Sequence, residues 1–292
     1  MRRRSLLASA ALLGGCALNP DEDHTGADAP GAAPLPRTPR VAWVFSSGGP
    51  RGFVHVGVLK ALDELGLVPD LMVGASAGAL VGVLRAGGMR GPEMEALALD
   101  MQPARLARLT IGGSERLGGS AIADLVREQL RAKGCAPQLE KLPLMVACVT
   151  QRLADGAVVA FTRGEAGLAV QAACAIEGQF APVRIRGQRH ADADLRLPLP
   201  VRLARSLGAS RVLAVDASAD ERRAPPGTER WRDGDLRKRA LTQPDADAAN
   251  VLLHPEFGYY ASISREYRER CIAAGYREAM GMAAKIKALH AG

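Results

Sequence analysis

Gly74-Ala75-Ser76-Ala77-Gly78 sets one serine among glycines and alanines, after the apolar run "LMV" and before a small-residue helical pattern reaching Ala86. A sharp strand-to-helix turn there would project the Ser76 side chain, with Gly74 and Gly78 relieving the crowding. The helix N-terminus would favour developing negative charge, so the arrangement suits a nucleophile of acyl transfer. An ordinary structural turn is the other reading, because a chain rich in alanine and glycine produces such a pentapeptide by chance. Upstream, "SSGGPRG" over residues 46–52 interrupts a second apolar run. The amides of Gly48 and Gly49, unobstructed by side chains, could point at an oxyanion. A phosphate loop fits less well, since the segment lacks a Lys-Ser/Thr ending and its glycine spacing differs from that of a dinucleotide fold. A glycine turn without a ligand is the third possibility.

A nucleophile needs a base. His24 lies near the start of the chain and His290 at its end, and His55, one helical turn after Arg51, is placed to pack near a helix start. Only His190 and His254 are available for a Ser-His-Asp triad. Asp192, in "RHADADLRLPLPV", closes an apolar segment before a proline-bounded helix, where a loop could bring a carboxylate to the rim that carries Ser76.

The elements around these residues follow from periodicity. "RVAWVF" and "PDLMVG" read as strands buried on both faces, each followed by helical spacing, which makes a parallel βαβ unit with the two glycine breaks at one sheet edge. Helices are expected across 90–140, a strand at "PLMVACVT", a partner at "GAVVAF", and a helix at "GEAGLAVQAACA". Short apolar pieces at Val183–Ile185 and around His190 precede a helix at "PVRLARSLG" and the strand "SRVLAVDAS". A last strand, "NVLLHP", leads to a helical stretch from about Ser264 to Leu289. Residues 220–243 are arginine-rich, broken by Pro-Pro-Gly and without sustained period, and read as a mobile surface insertion. Residues 17–40, studded with proline and alanine, read as a flexible tether, and 41–292 as a single α/β domain.

The 292 residues carry a formal charge of +7 with only 4% aromatic residues, and the arginines are scattered, which argues against a nucleic-acid partner. Cysteines at 135, 148, 174 and 271 match no zinc spacing, and neither a metal nor an organic cofactor is called for.

Taken together, "SSGGPRGFVHVGVLKAL", "GASAGAL" and "DADLRLPLPV", with "QAACAIEGQFAPV" between the last two, resemble the bacterial patatin-like phospholipases over about residues 41–255. The resemblance implies a three-layer α/β/α fold with a mostly parallel central sheet and a Ser-Asp dyad that hydrolyses acyl esters of lipids without a cofactor. Carried over by position, Ser76 is the nucleophile and Asp192 the base. Gly48, Gly49, Arg51 and Gly52 match the oxyanion segment, and Gly74 and Gly78 the elbow. Ser47 stands where a first glycine is usual, Pro50 removes an N–H, and Ala193 and Asp194 replace glycines. These departures keep open a fold that binds lipid or a protein partner without catalysis. If Asp192 and Asp194 point the same way, their repulsion raises an apparent pKa of the pair.

Arg2, Arg3 and Arg4, the apolar "LLASAALL" and Leu13-Gly14-Gly15-Cys16 have the parts of an export signal over residues 1–16, and its end resembles a bacterial lipobox. That likeness implies lipidation of Cys16. Ala17 after it implies an outer-membrane anchor facing the periplasm.

Overall fold

A computed structural model describes residues 22–102, 108–109 and 117–291. Cys16 and the expected signal segment lie outside the described residues, as does Ala17. In chain order the elements are β1 (Asp23–His24), β2 (Val41–Phe45), α1 (Phe53–Glu64), β3 (Leu71–Ala75), α2 (Ala77–Ala86) and α3 (Gly91–Asp100). A small ribbon of β4 (Arg108–Leu109) and β5 (Leu117–Gly118) leads to α4 (Ser120–Ala132), β6 (Met145–Arg152), β7 (Val158–Phe161) and α5 (Ala166–Ala173). After these come β8 (Val183–Ile185), β9 (Gln188–Asp192), α6 (Val201–Ser206), β10 (Arg211–Val215), α7 (Glu229–Asp247), β11 (Val251–Leu253), α8 (Arg265–Gly281) and α9 (Ala283–Ala291).

The main sheet runs β1-β8-β9-β6-β3-β2-β10-β11, with β7 also paired to β6. Its centre, from β6 through β3, β2 and β10 to β11, is parallel, whereas β7, β8 and β9 bring in the antiparallel pairs. Both faces of the central strands are buried. Trp43, Phe45 and Met72 point into a core shared with α1, α2, α4, α5 and α8, while Ala42, Val44, Leu71 and Val73 point into a second core against α6. This is the expected three-layer α/β/α arrangement, and the continuous apolar runs are its sequence signature.

Three segments depart from the expectations, the first being 90–140, where the β4–β5 ribbon stands between the expected helices. The stretch 220–243, expected to be a mobile insertion, contains a 3-10 turn at Glu221–Arg223 and most of α7. That helix buries only Thr242 and Asp245 and has Pro244 within it, so no apolar stripe announces it. It is tied down instead by charge, Arg202 bonding the fully buried Asp245 carboxylate through its backbone N–H and its guanidinium. Residues 22–40, expected to be a flexible tether, lie along the domain. β1 pairs with β8, the Thr162 hydroxyl bonds both the N–H and the C=O of Ala33, and Asp70 holds Arg37 and the N–H groups of Arg40 and Val41.

The packing that carries the glycine-rich segment 46–52 is the contact of α1 with α8. A Cβ on Gly57 would stand 1.8 Å from the Ile272 carbonyl oxygen, so the two backbones approach as closely as glycine allows. Gly57→Val is therefore expected to lower the melting temperature by about 5–10 °C through forced separation of these helices. Thermal unfolding followed by circular dichroism measures it.

Candidate active site

Register brings the two key residues together. β3 pairs with β6 as far as Ala75 opposite Val149, and β9 pairs with the next residue of β6, Thr150, through Asp192. Ser76 follows Ala75 directly, so the serine and the aspartate emerge at the same rim of the sheet.

Ser76 turns the chain from β3 into α2 with φ 52° and ψ −123°, a left-handed conformation rare for any residue but glycine. The turn is tight enough that a Cβ on Gly78 would lie 2.2 Å from the Phe45 carbonyl oxygen, and one on Gly74 would strike Gly78. Small residues at both positions are thus a steric requirement. Ser76 occupies the cap position of α2 without using its side chain as a cap, leaving the hydroxyl to the site. The Cys174 thiol donates to its carbonyl at 3.3 Å.

Asp192 is 3% exposed. Its Oδ1 accepts the Asp194 N–H at 2.9 Å, while the buried Oδ2 has no partner of full hydrogen-bond geometry. Burial pushes its carboxyl up to about 7. The Ser76 hydroxyl and the Asp194 N–H pull the other way as hydrogen-bond donors, the Asp194 charge adds to the rise, and Lys238 opposes it. Oδ2 is therefore free to receive a proton from the neighbouring hydroxyl, and a pKa near neutrality suits a general base.

The glycine segment forms a 3-10 turn at Gly49–Gly52, ahead of α1. The N–H groups of Gly48 and Gly49 have no partner among the described residues, whereas that of Arg51 bonds the Gly48 carbonyl at 3.0 Å. Gly52 is buried against Ala77, next to the serine. Arg51 is not brought to Ser76. Its guanidinium turns over Phe257 and Tyr259 and donates to the Gly258 carbonyl, facing a separate polar cavity.

Beside Ser76 opens a cavity of about 360 Å³, walled by Phe53 and Val56 of α1, Leu80 and Leu84 of α2, Met94 of α3 and Ile122 of α4. Gly49, Gly52 and Ser76 stand at its polar side. An apolar chain fits it and a charged group does not.

The histidines are committed elsewhere. His55 is buried, donates from Nε2 to the Ser46 carbonyl at 2.9 Å and stacks on Phe45, and burial pushes it down to about 4. His190 lies against Phe161 and Thr150 and is likewise pushed to about 4 by burial, and His254 donates to the Ser218 carbonyl. None has Ser76 as a hydrogen-bond partner among the described residues. Among those residues, too, no group of three His, Cys, Asp or Glu could hold a metal, and the four cysteines are free thiols.

Sequence reasoning missed Lys238. Its Nζ contacts Asp194 Oδ1 and lies 2.8 Å from Ser47 Oγ, and the Ser47 hydroxyl donates to the same Asp194 oxygen. Two of the unusual residues, Ser47 and Asp194, thus bind one another directly and share a lysine from α7.

The raised Asp192 pKa has a stability consequence. Between its ordinary 3.8 and about 7 the folded chain holds a proton that the unfolded chain would release, so stability from this group falls as pH rises through that window. Asp192→Asn is expected to melt above the wild type at pH 8, with the difference vanishing toward pH 4. Melting curves across that range provide the check.

The model of the family described as patatin-like phospholipase matches residues 43–205. An NTE-family protein of Mycobacterium tuberculosis is 33% identical over 224 residues, which are 74% of this chain and 61% of that one. The chain thus spans about three fifths of the length of this relative. Patatin-like phospholipase domain-containing protein 6 of Homo sapiens is 29% identical over 189 residues, covering 62% of this chain and 14% of its own. Among solved structures, VipD from Legionella pneumophila superposes with a TM-score of 0.56 at 12% identity, over 90% of this chain and 70% of that one, a likeness of fold.

Proposed function

The chain belongs to the patatin-like phospholipase family, and we propose that it is a serine acyl hydrolase acting on acyl esters of lipids through a Ser76–Asp192 dyad. The observation that carries this reading is the buried Asp192 carboxyl set against the Ser76 hydroxyl, which itself stands at the polar side of an apolar cavity. In the proposed reaction the acyl chain occupies that cavity and the ester carbonyl sits at its polar side. Ser76 Oγ attacks the carbonyl carbon while its proton passes to Asp192 Oδ2. The Gly48 and Gly49 amides and the start of α2 stabilise the oxyanion. Collapse of the tetrahedral intermediate expels the alcohol, which takes the proton from Asp192. Water then attacks the acyl-serine, giving its proton to Asp192, and the released Ser76 recovers it.

Removing the hydroxyl should remove the covalent route. Ser76→Ala is expected to lose about 10⁴-fold or more of kcat on a lipid ester and to escape labelling by a fluorophosphonate that marks the wild type. Because the base works only when ionised, wild-type kcat/KM should rise with pH through about 7 and then level off. A Ser76→Ala protein as active as the wild type overturns the dyad and favours the reading of a lipid- or protein-binding fold.

Attachment to a membrane through Cys16 forms part of the same proposal, supported by the "LGGC" ending of the first sixteen residues. A tether would hold the enzyme at the surface where its substrate resides. Metabolic labelling with palmitate should mark the full-length chain in a bacterial host and be lost in Cys16→Ser.

A further inference from the structure

The contact made by Lys238 joins three parts of the chain that the sequence keeps far apart. Ser47 adjoins Gly48 at the start of the oxyanion turn, Asp194 lies two residues past Asp192, and Lys238 reaches them from the middle of α7. The two loops also meet through the backbone, where the Ser47 N–H bonds the Pro198 carbonyl at 2.9 Å. Asp194 closes the assembly by donating its N–H to Asp192 Oδ1. A continuous chain of polar contacts therefore runs from the lysine through Asp194 to the carboxyl that faces Ser76.

Resting on the Ser76–Asp192 reading, we propose that Lys238 is a positioning residue: it fixes the oxyanion turn against the aspartate loop and balances the Asp194 charge beside the base. An exposed ion pair contributes little, but this lysine side chain is only 20% exposed and shares one carboxylate oxygen with a hydroxyl. Nor is the contact needed to hold α7, which Arg202 secures through Asp245 near its C-terminal end.

The groups facing Asp192 are Ser76 from the β3–α2 turn, Thr150 paired with it on β6, Cys174 at the end of α5, Asp194 on its own loop and Lys238 from α7. Only Asp194 and Lys238 carry charge, and they act in opposite directions. Burial raises the Cys174 thiol well above its ordinary range, with a smaller contribution from Asp192, so it stays neutral through the working range.

The test is the pH dependence of kcat/KM on a soluble short-chain nitrophenyl ester, using the full chain. Lys238→Met leaves Asp194 uncompensated, and the acidic limb should move up by about one pH unit. Asp194→Asn removes the like charge and should move it down by about one unit. Lys238→Arg, which restores the cation, should return the limb to within a few tenths of a unit of the wild type. Should Lys238→Met fail to fold, Asp194→Asn, nearly isosteric, carries the test alone. An active wild type whose limb moves in neither variant overturns the inference while leaving the dyad standing. A wild type no faster than Ser76→Ala overturns both.

Discussion

The site depends on a change of partner along one strand. β6 gives its first half to β3 and its last residues to β9, so the chain leaving β3 and the chain leaving β9 arrive at neighbouring positions. Neither loop has to be long or to search for the other. The backbone ladder, with its fixed spacing along the strand, positions Ser76 and Asp192 more rigidly than loop contacts could. Burial follows from the same placement. Asp192 is only 3% exposed at this rim, and that desolvation lifts a carboxyl of ordinary pKa 3.8 to about 7.

The apolar side of the site is built by helices whose other faces form the core. α2 packs on β2 and β3 and α1 on α8, and together they turn Phe53, Val56, Leu80 and Leu84 toward the cavity. The wall of the apolar cavity and the stability of the fold are thus shared by the same two helices. The close glycine contact of α1 with α8 then sets how far α1 can shift.

Much of this was legible in the sequence, for identifiable reasons. Strands buried on both faces appear as unbroken apolar runs, and the elbow appears as small residues forced by backbone contact, so Ser76 and its flanking elements could be located to within a residue or two. Asp192 was reachable because it ends such a run. α7 was not legible, since a helix fastened through the Asp245 carboxylate shows no apolar periodicity. The path of residues 22–40 was hidden likewise, because backbone pairing and hydrogen bonds to Thr162 and Asp70 fasten it. Arg51 sits in the right motif, yet its side chain follows the aromatic rings of the C-terminal region, a contact across more than 200 residues that local pattern does not reveal.

The match to the family ends at residue 205, but the sheet continues beyond it. β2 lies between β3 and β10, and β10 in turn is flanked by β11. A fragment cut where the family model's match ends would leave β2 as a bare edge and strip Trp43 of its contact with His290 of α9, inviting self-association. Boundaries for expression or domain grafting therefore belong beyond β11 and the C-terminal helices that pack beside it, not at the edge of the family model's match.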